Sequence, residues 1–255
     1  MQKNIIRDNI SIVLKQPRFP ENIGAAARAM RNMGINRLIL VDPEDFDLTR
    51  VLKLATHAAA EVVEKIKIYE DLREALSAYN YVIGTTARLG GQRQCVSSPS
   101  KIAETLVPIS QENRIAVVFG PEDRGLSNED IRYCHVLANI PTADFSSLNL
   151  AQAVMVMCYE IFIADRKENK EFVPRLAGRR ELEEMYDQLK EILVRISFIN
   201  HENPDYWMNN FRRFFSRLGL RAKEVSIIRG ICRQINWYGE KRYKDGLKEN
   251  NGSSL

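Results

Sequence analysis

The stretch IAVVFGPEDRGLS, residues 115–127, contains the clearest strand of the sequence. Its apolar residues run without interruption from Ile115 to Phe119, and the turn formers glycine, proline and aspartate follow. An unbroken apolar run of this length is typical of a strand that is buried on both faces of a parallel sheet. The stretch therefore predicts a parallel α/β fold.

Short apolar segments alternate with amphipathic helices on both sides of this strand. Further strands are predicted at 10–14, 37–41, 65–69, 81–84 and 135–140, and helices at 22–33, 48–63, 70–77 and 149–165. Gly34 follows the first helix, where a left-handed residue commonly ends a helix. The alternation predicts an α/β domain with a mostly parallel sheet over residues 1–165. Because ligands bind at the carboxyl ends of such strands, the loops of interest are 15–22, 85–99, 120–127 and 140–148.

The rest of the chain has a helical and basic pattern. Residues 166–178 are polar and are predicted to be a linker, and helices at 179–199, 204–217 and 221–238 predict a small all-α domain over 179–245. We expect the small polar residues of 246–255 to form a disordered tail. The net charge is −2 up to Asp165 and +6 beyond it, which together give the +4 of the chain. This asymmetry indicates either a surface for a polyanion or a solvated helix surface, and both remain open here.

Composition and spacing exclude several classes of protein. The 255 residues are 45% hydrophobic and 27% charged, close to globular averages. No apolar run approaches the ~20 residues of a membrane span, and the amino terminus lacks a signal-peptide pattern, so we expect a cytoplasmic protein without a membrane segment. The cysteines and histidines have no zinc-binding spacing, so no metal site is expected; they are Cys95, Cys134, Cys158, Cys232, His57, His135 and His201.

Common nucleotide-binding and hydrolase motifs are missing from the sequence. No G-x-G-x-x-G follows the first strand, and neither G-x-S-x-G nor H-E-x-x-H occurs. The segment GPEDRGLS imitates a phosphate-binding loop, but Leu126 stands where that loop needs lysine. Dinucleotide binding and hydrolysis of nucleoside triphosphates are therefore disfavoured.

Polar residues stand instead at the predicted strand ends. Asn22 and Arg28 flank a run of small residues that lets a helix approach the sheet, another subunit or a ligand closely, although a well-capped helix rich in alanine has the same pattern. Glu122 could bind ribose hydroxyls or orient an arginine, or belong to a surface turn. Ser146, Ser147 and Asn149 could cap the helix at 149–165 or bind an anion or polar cofactor.

Together these segments resemble the SPOUT family of RNA 2'-O-ribose methyltransferases. NIGAAARAMRNMG, VVFGPEDRGLS and IPTADFSSLNLAQAV occur in the order and spacing of the three motifs of that family. GTTAR (84–88) fits its bacterial TrmJ type, which methylates nucleotide 32 in the anticodon loop of tRNA. The resemblance covers residues 8–165 and is weaker in the basic carboxyl-terminal part.

The resemblance implies a trefoil-knotted α/β domain, a homodimer with its sites near the interface, and S-adenosylmethionine as cofactor. By position, the cofactor contacts would be Thr85, Thr86, Ala87, Gly120, Ile140, Ser147, Leu148 and Asn149. The reacting centre would consist of Arg28, Asn22, Glu122, Ser147 and Asn149. The arginine at the position of Arg28 is the family's proposed activator of the hydroxyl. Because a guanidinium keeps its proton, we expect Arg28 to bind phosphate, orient the hydroxyl and stabilise developing oxyanion charge.

The partner that the resemblance implies is tRNA. The residues predicted to contact it are Arg88, Arg93, Arg212, Arg213, Arg217 and Arg221. We expect most of the neighbouring aromatic residues to form the core of the helical domain. Three alternatives stay open: another tRNA position, ribosomal RNA, or a non-catalytic RNA-binding protein with this fold. The base at the target is not predictable, because an enzyme directed at ribose need not touch the base.

Overall fold

A seven-stranded parallel sheet forms the centre of the first part of the chain. The computed structural model describes residues 4–87, 96–144, 147–165 and 174–252. Within them the strands are β1 (Ile10–Lys15), β2 (Arg37–Val41), β3 (Lys67–Tyr69), β4 (Tyr81–Thr85), β5 (Val96–Ser97), β6 (Ile115–Phe119) and β7 (Val136–Ala138). Their order is β3-β2-β1-β6-β4-β7-β5, and every pairing is parallel. The predicted fold class is confirmed.

Helices cover both faces of this sheet. They are α1 (Pro20–Asn32), α2 (Leu48–Glu64), α3 (Leu72–Leu76), α4 (Pro99–Ile109), α5 (Asn128–Ile131) and α6 (Leu150–Ala164), and a short 3-10 turn at Arg7–Asn9 precedes β1. All residues of β6 are buried, and its side chains alternate between two apolar clusters. Val117 joins the cluster under α1, α2, α4 and α6, and Val118 joins the one under α3. The apolar run of β6 is unbroken because the strand is buried on both faces of the sheet, as the sequence predicted.

The sequence did not predict four elements of the sheet domain, namely the 3-10 turn, β5, α4 and α5. Strand β5 has only two residues, too few for a periodic pattern. Helix α4 does carry a start signal, because the Ser98 side chain accepts a hydrogen bond from the Lys101 N–H and Pro99 occupies the first turn. Pro108, inside this helix, obscures the signal at the other end.

The end of the predicted linker is part of the sheet domain. Leu176 is buried, its N–H donates to Asn113 Oδ1 at 2.6 Å, and its carbonyl accepts from Asn80 Nδ2 at 2.8 Å. The Arg179 N–H donates to the Tyr79 carbonyl at 2.8 Å. The structure accordingly separates into the units Met1–Arg179 and Arg180–Leu255. Of the predicted linker, only 174–178 lies within the described residues, and these residues are held in place.

The described part of the second unit contains three helices joined by short connections. Its helices are α7 (Arg179–Arg195), α8 (Pro204–Leu218) and α9 (Ala222–Gly252). The Asn203 side chain caps α8 as its sequence predicts, and Gly219 ends that helix with a φ of 56°. Helix α9 continues to Gly252 instead of ending near residue 238, because no proline interrupts it. It thus runs through 246–252 of the predicted disordered tail, whose last residues lie outside the described ranges. No helix in the described parts of the chain is long and apolar enough to cross a membrane.

Candidate active site

The carboxyl ends of β6, β4 and β7 surround a cleft. Because these strands are neighbours, the loops after them meet at one edge of the sheet. The cleft has a volume of about 450 Å³, within the range of about 300–1,000 Å³ that is typical of small-molecule sites. Most of the residues predicted to contact the cofactor line it: Thr85, Thr86, Ala87, Gly120, Ile140, Ser147 and Leu148. Further lining residues that the sequence did not single out are Phe119, Pro121, Asp123, Arg124, Gly125, Leu126, Ala138, Leu150 and Ala153.

The turn after β6 folds tightly back on itself at Gly120. A Cβ at this position would lie 2.3 Å from the Leu126 backbone nitrogen and 2.4 Å from the Gly125 carbonyl carbon. Gly125 itself has a φ of 64°, which favours glycine. These two glycines let the backbone form the cleft wall with no side chain in the way.

Hydrogen bonds fix the second wall, which follows β4. Thr85 Oγ1 donates to the Val118 carbonyl at 3.1 Å, and the Thr86 N–H donates to the Ala138 carbonyl at 2.9 Å. Asn139 Nδ2 donates to the Thr86 carbonyl at 2.9 Å. Asn139 is a supporting residue that the sequence analysis missed, since only its neighbour Ile140 belongs to a recognised motif.

Three strand-end loops are joined by the predicted reacting residues. Asn22 Nδ2 donates to Glu122 Oε1 at 2.9 Å, and Asn149 Nδ2 donates to Asn22 Oδ1 at 2.9 Å. Glu122, which lines the cleft, also accepts from the Arg18 N–H through Oε2 at 3.1 Å. The Asn149 side-chain oxygen accepts from the N–H groups of Ala151 and Gln152. Asn149 is therefore a helix cap and part of this network, and it does not line the cleft.

Arg28 occupies a different position. It lies exposed on α1, outside the cleft lining, and no hydrogen bond or ion pair joins its side chain to another described residue. Ser147 is exposed and lines the cleft. Three other predicted residues, Arg88, Arg93 and Ser146, lie outside the described residues.

The small residues of α1 pack against a helix of the same chain. A Cβ at Gly24 would lie 2.1 Å from the Val51 carbonyl oxygen, so α1 and α2 touch backbone to backbone. Ala26 and Ala27 are fully buried in the core. The sequence suggested that this segment packs against the sheet, another subunit or a ligand. The close contact of Gly24 is instead with α2 of the same chain.

Family profiles match both units of the chain. Residues 9–159 match the SpoU rRNA methylase family, and residues 180–247 match the carboxyl-terminal domain of tRNA methyltransferase TrmJ. The chain belongs to the SpoU rRNA methylase family. The parallel sheet that this family implies is present, and the trefoil knot stays a prediction.

Individual relatives extend the similarity over nearly the whole chain. It is 35% identical over 238 residues to the tRNA (cytidine/uridine/adenosine-2'-O-)-methyltransferase TrmJ of Pseudomonas aeruginosa, covering 88% of this chain and 92% of the relative. A TrmJ structure from Z. mobilis matches with a TM-score of 0.76 and 29% identity, over 89% of this chain and 98% of the other. A probable methylase from Haemophilus influenzae matches with a TM-score of 0.60 and 33% identity, over 94% and 99% of the two chains.

Arg212, one of the predicted RNA-binding arginines of this SpoU-family chain, makes its contacts inside the helical unit. Arg212 Nη1 lies 2.7 Å from the carboxylate of the buried Glu183, and its guanidinium lies 4.4 Å from the ring centroid of the buried Tyr186. Arg213 is half-buried, whereas Arg217 and Arg221 are exposed. The geometry therefore favours Arg217 and Arg221 over Arg212 as contacts for RNA.

The aromatic residues of the helical unit are more exposed than expected. Tyr206, Trp207, Phe214 and Trp237 are 62%, 44%, 57% and 52% exposed. The expectation that most of the aromatic residues form a core is wrong for these four. Met208, Val225 and Cys232 are buried in this unit together with Leu182, Met185, Tyr186 and Ile192 of α7.

Burial shifts the pKa values of Cys134, Cys158 and His135 in the first unit. Burial raises the pKa of Cys134 and of Cys158 to about 12, so both stay protonated at neutral pH. Burial lowers the pKa of His135 to about 3, and the neutral Nδ1 accepts a hydrogen bond from the Val82 N–H at 3.1 Å. Across the described residues, no cluster of His, Cys, Asp and Glu has the composition of a metal site.

Proposed function

We propose that the protein is an S-adenosylmethionine-dependent 2'-O-ribose methyltransferase that acts on nucleotide 32 of tRNA. The observation that carries this proposal is a cleft lined by the family's cofactor positions, with Glu122 in its wall hydrogen-bonded to Asn22. The choice of tRNA rests on the carboxyl-terminal TrmJ profile and on the printed activities of the relatives. We expect the enzyme to act in the cytoplasm, where tRNA is available.

The cleft suits this cofactor in size and chemistry. Its walls are mostly neutral, from Thr85, Ala87, Ile140 and Leu148, and they suit an adenosine moiety. Gly120 leaves a cradle that any Cβ would fill, which suits recognition by backbone groups. When bound, S-adenosylmethionine would supply the methyl group from its sulfonium, and the residues of the cleft would hold it.

The residues of the chain then have to align the hydroxyl and stabilise charge. Alignment of two bound reactants contributes several kcal/mol to catalysis. The Asn22–Glu122–Asn149 network fixes the loops that border the reacting centre. Arg28, exposed on α1, meets an RNA that arrives from solvent, binds a phosphate and stabilises the negative charge that develops on the 2'-oxygen. The hydroxyl proton leaves to water or to a phosphate, because Arg28 is already protonated.

The exposed basic residues of the helical unit serve to hold the tRNA backbone. Arg217 and Arg221 are exposed, as are aromatic side chains of the same unit such as Phe214. Contacts with phosphate position a substrate without reading its sequence. Arg88 and Arg93, which follow the cleft residues in sequence, are proposed to act closer to the target nucleotide.

Helix α6 supports a homodimer. Val154, Met157, Cys158 and Ile161 are buried against the sheet, yet its other faces are also apolar. On those faces Val156 and Ile163 are half-buried and Tyr159 is exposed, whereas Met155 packs on the core of its own chain and Phe162 lies under the Arg7 guanidinium. A helix that is apolar on all sides is normally covered on all sides, and a second copy of the chain is the occupant that the family implies.

Sedimentation velocity tests the dimer. The wild type should sediment with twice the mass of one chain, and Val156→Glu should shift it to the monomer. Ile68→Glu, which changes an exposed residue of β3, should leave the dimer intact. A wild-type monomer would contradict the assignment.

The activity is tested by methyl transfer from labelled S-adenosylmethionine to unmodified tRNA transcripts, with the product nucleotide mapped. We expect a 2'-O-methyl group at nucleotide 32. Label at another tRNA nucleotide would keep the chemistry and overturn the position. Transfer to ribosomal RNA alone would overturn tRNA as substrate, and cofactor binding without any transfer would overturn catalysis.

A further inference from the structure

Two adjacent strand ends near the cleft have unfavourable backbone conformations. Gln16, directly after β1, has a φ of 47°, and Asp42, directly after β2, has a φ of 46°. Aspartate adopts this left-handed region fairly often, but glutamine does so rarely. The N–H groups of both residues extend the sheet, since they donate to the carbonyls of Val41 and Tyr69 at 2.7 and 2.8 Å.

The strained conformation places the Gln16 side chain between two charges. Arg124 Nη2 donates to Gln16 Oε1 at 3.0 Å, and Gln16 Nε2 donates to Asp42 Oδ2 at 2.8 Å. A guanidinium can only donate and a carboxylate can only accept, so these neighbours fix the orientation of the amide. The result is a continuous chain of hydrogen bonds from Arg124 through Gln16 to Asp42.

Stability alone does not account for this arrangement. Arg124 is 57% exposed, and its ion pair with Asp123 is long, at 3.5 Å. Exposed pairs of this kind contribute little to folding, whereas a non-glycine residue in a strained conformation costs free energy. Strain of this kind is typical of positions that hold a functional group in place.

The group held in place is the guanidinium of Arg124, a residue of the cleft wall. Gln16 binds it through a neutral oxygen, so this contact orients the cation without cancelling its charge. Arg124 also stands two residues after Glu122, whose carboxylate belongs to the Asn22 network. An oriented guanidinium matches the geometry of a carboxylate or a phosphate.

We propose that Arg124 binds an oxyanion of a ligand in the cleft, and that Gln16 is the positioning residue that holds it. The inference rests on the proposed function, which offers two sources of that oxyanion: the carboxylate of the cofactor and a phosphodiester of the RNA. Both present two oxygens to the guanidinium, so the same variants test either source.

The variants are Arg124→Ala, Gln16→Ala and the double variant, with Arg73→Ala as control. Arg73 is an exposed arginine of α3 whose side chain makes no hydrogen bond or ion pair with another described residue. Binding is measured for S-adenosylhomocysteine and for 5'-methylthioadenosine, which lacks the amino-acid part, and KM is measured for tRNA. If Arg124 binds the cofactor carboxylate, Arg124→Ala lowers the affinity for S-adenosylhomocysteine about tenfold and leaves the affinity for 5'-methylthioadenosine unchanged. If a phosphodiester is bound, cofactor affinity stays constant and KM for tRNA rises about tenfold.

The double variant separates positioning from general support. Gln16→Ala should produce a smaller loss of the same binding constant. In the Arg124→Ala background, Gln16→Ala should cause no further loss of binding. Gln16→Gly relieves the backbone strain, so it should preserve or raise the melting temperature while still weakening ligand binding. Unchanged constants in Arg124→Ala, with an active wild type, would overturn the proposal. Equal losses from Gln16→Ala with and without Arg124 would overturn the role of Gln16, and an inactive wild type would instead overturn the proposed function.

Discussion

The side-chain amide of Asn22 donates a hydrogen bond to Glu122 Oε1 at 2.9 Å, although the two residues are 100 positions apart in sequence. The same amide accepts from Asn149 through its oxygen. Asn22 thus joins the loops that follow β1, β6 and β7, and both ends of its amide are used. A side chain with this double role has no substitute of equal shape, because it needs one donor and one acceptor.

Asn22→Asp tests this link. The change keeps the shape of the side chain but places a second carboxylate against Glu122, so the loops separate. We expect the rate of methyl transfer to fall by about 100-fold, as misplaced groups do in enzymes. Asn36→Asp is the matched control, since Asn36 only accepts from Arg31 Nη1 and an aspartate can do the same. Near-normal turnover in Asn22→Asp would show that the network is dispensable.

Arg28→Ala should abolish most turnover without touching cofactor affinity. Arg28 does not line the cleft, and loss of a group that stabilises transition-state charge typically costs about 100- to 1,000-fold in kcat. Single-turnover rates and cofactor binding are the paired measurements. Arg31→Ala, on the same helix, removes contacts with Asn36 and Glu61 only and should retain activity. An equal loss in both variants would indicate a general effect on α1.

Gly120→Ala should destroy the cleft. The added Cβ meets the backbone of Leu126 and Gly125, which cannot rotate away. We expect cofactor binding to be lost, as measured by titration calorimetry. Gly239→Ala, on α9, meets no atom within 4 Å and should leave binding intact, with a gain in helix stability of up to about 1 kcal/mol. Cofactor binding by Gly120→Ala would place the site elsewhere.

His135 makes the stability of the sheet domain depend on pH. Burial lowers its pKa from 6.5 to about 3 in the folded state. As the pH falls below the unfolded value, the unfolded chain binds a proton that the folded chain does not, so the free energy of unfolding decreases by about 1.4 kcal/mol per pH unit. Urea denaturation at pH 7.5 and 5.5 should show this decrease. His135→Asn keeps an acceptor for the Val82 N–H and should reduce the pH dependence; equal dependence in both proteins would exclude His135 as the cause.

Arg212 and Arg221 should separate stability from RNA binding. Arg212→Ala removes an ion-pair partner from the buried Glu183, and breaking a buried pair costs up to about 3–5 kcal/mol, so the helical unit should melt at a lower temperature. Arg221→Ala removes an exposed side chain, so the melting temperature should stay constant and the salt dependence of tRNA binding should fall by about one phosphate contact. The reverse pattern would place the RNA surface around Arg212.

The sequence was informative where one segment carries its own pattern. The apolar run of β6, the Asn203–Pro204 start of α8 and the left-handed Gly34 all follow from local chemistry, and the structure has each of them. The cleft positions were predictable only because the motifs resemble a family. The end of helix α9 was not predictable in this way, because no proline or other stop signal marks where the helix ends.

Long-range pairings had no local signal. Nothing near Arg212 in sequence predicts that Glu183 would bind it, or that Tyr186 would lie under its guanidinium. Likewise, Asn139 holds Thr86 across two neighbouring strands, a contact that depends on the strand order. Such contacts depend on how distant segments pack together, and this cannot be read from residue types and their spacing along the chain.

Under the proposed function, the methyl group goes to the 2'-hydroxyl of nucleotide 32 of tRNA. The most direct measurement compares transfer from labelled S-adenosylmethionine to two transcripts that differ only at nucleotide 32, one with ribose and one with 2'-deoxyribose. We expect label on the first transcript and none on the second. Equal labelling of both would contradict the proposed function, because the methyl group would then be on a base or at another nucleotide.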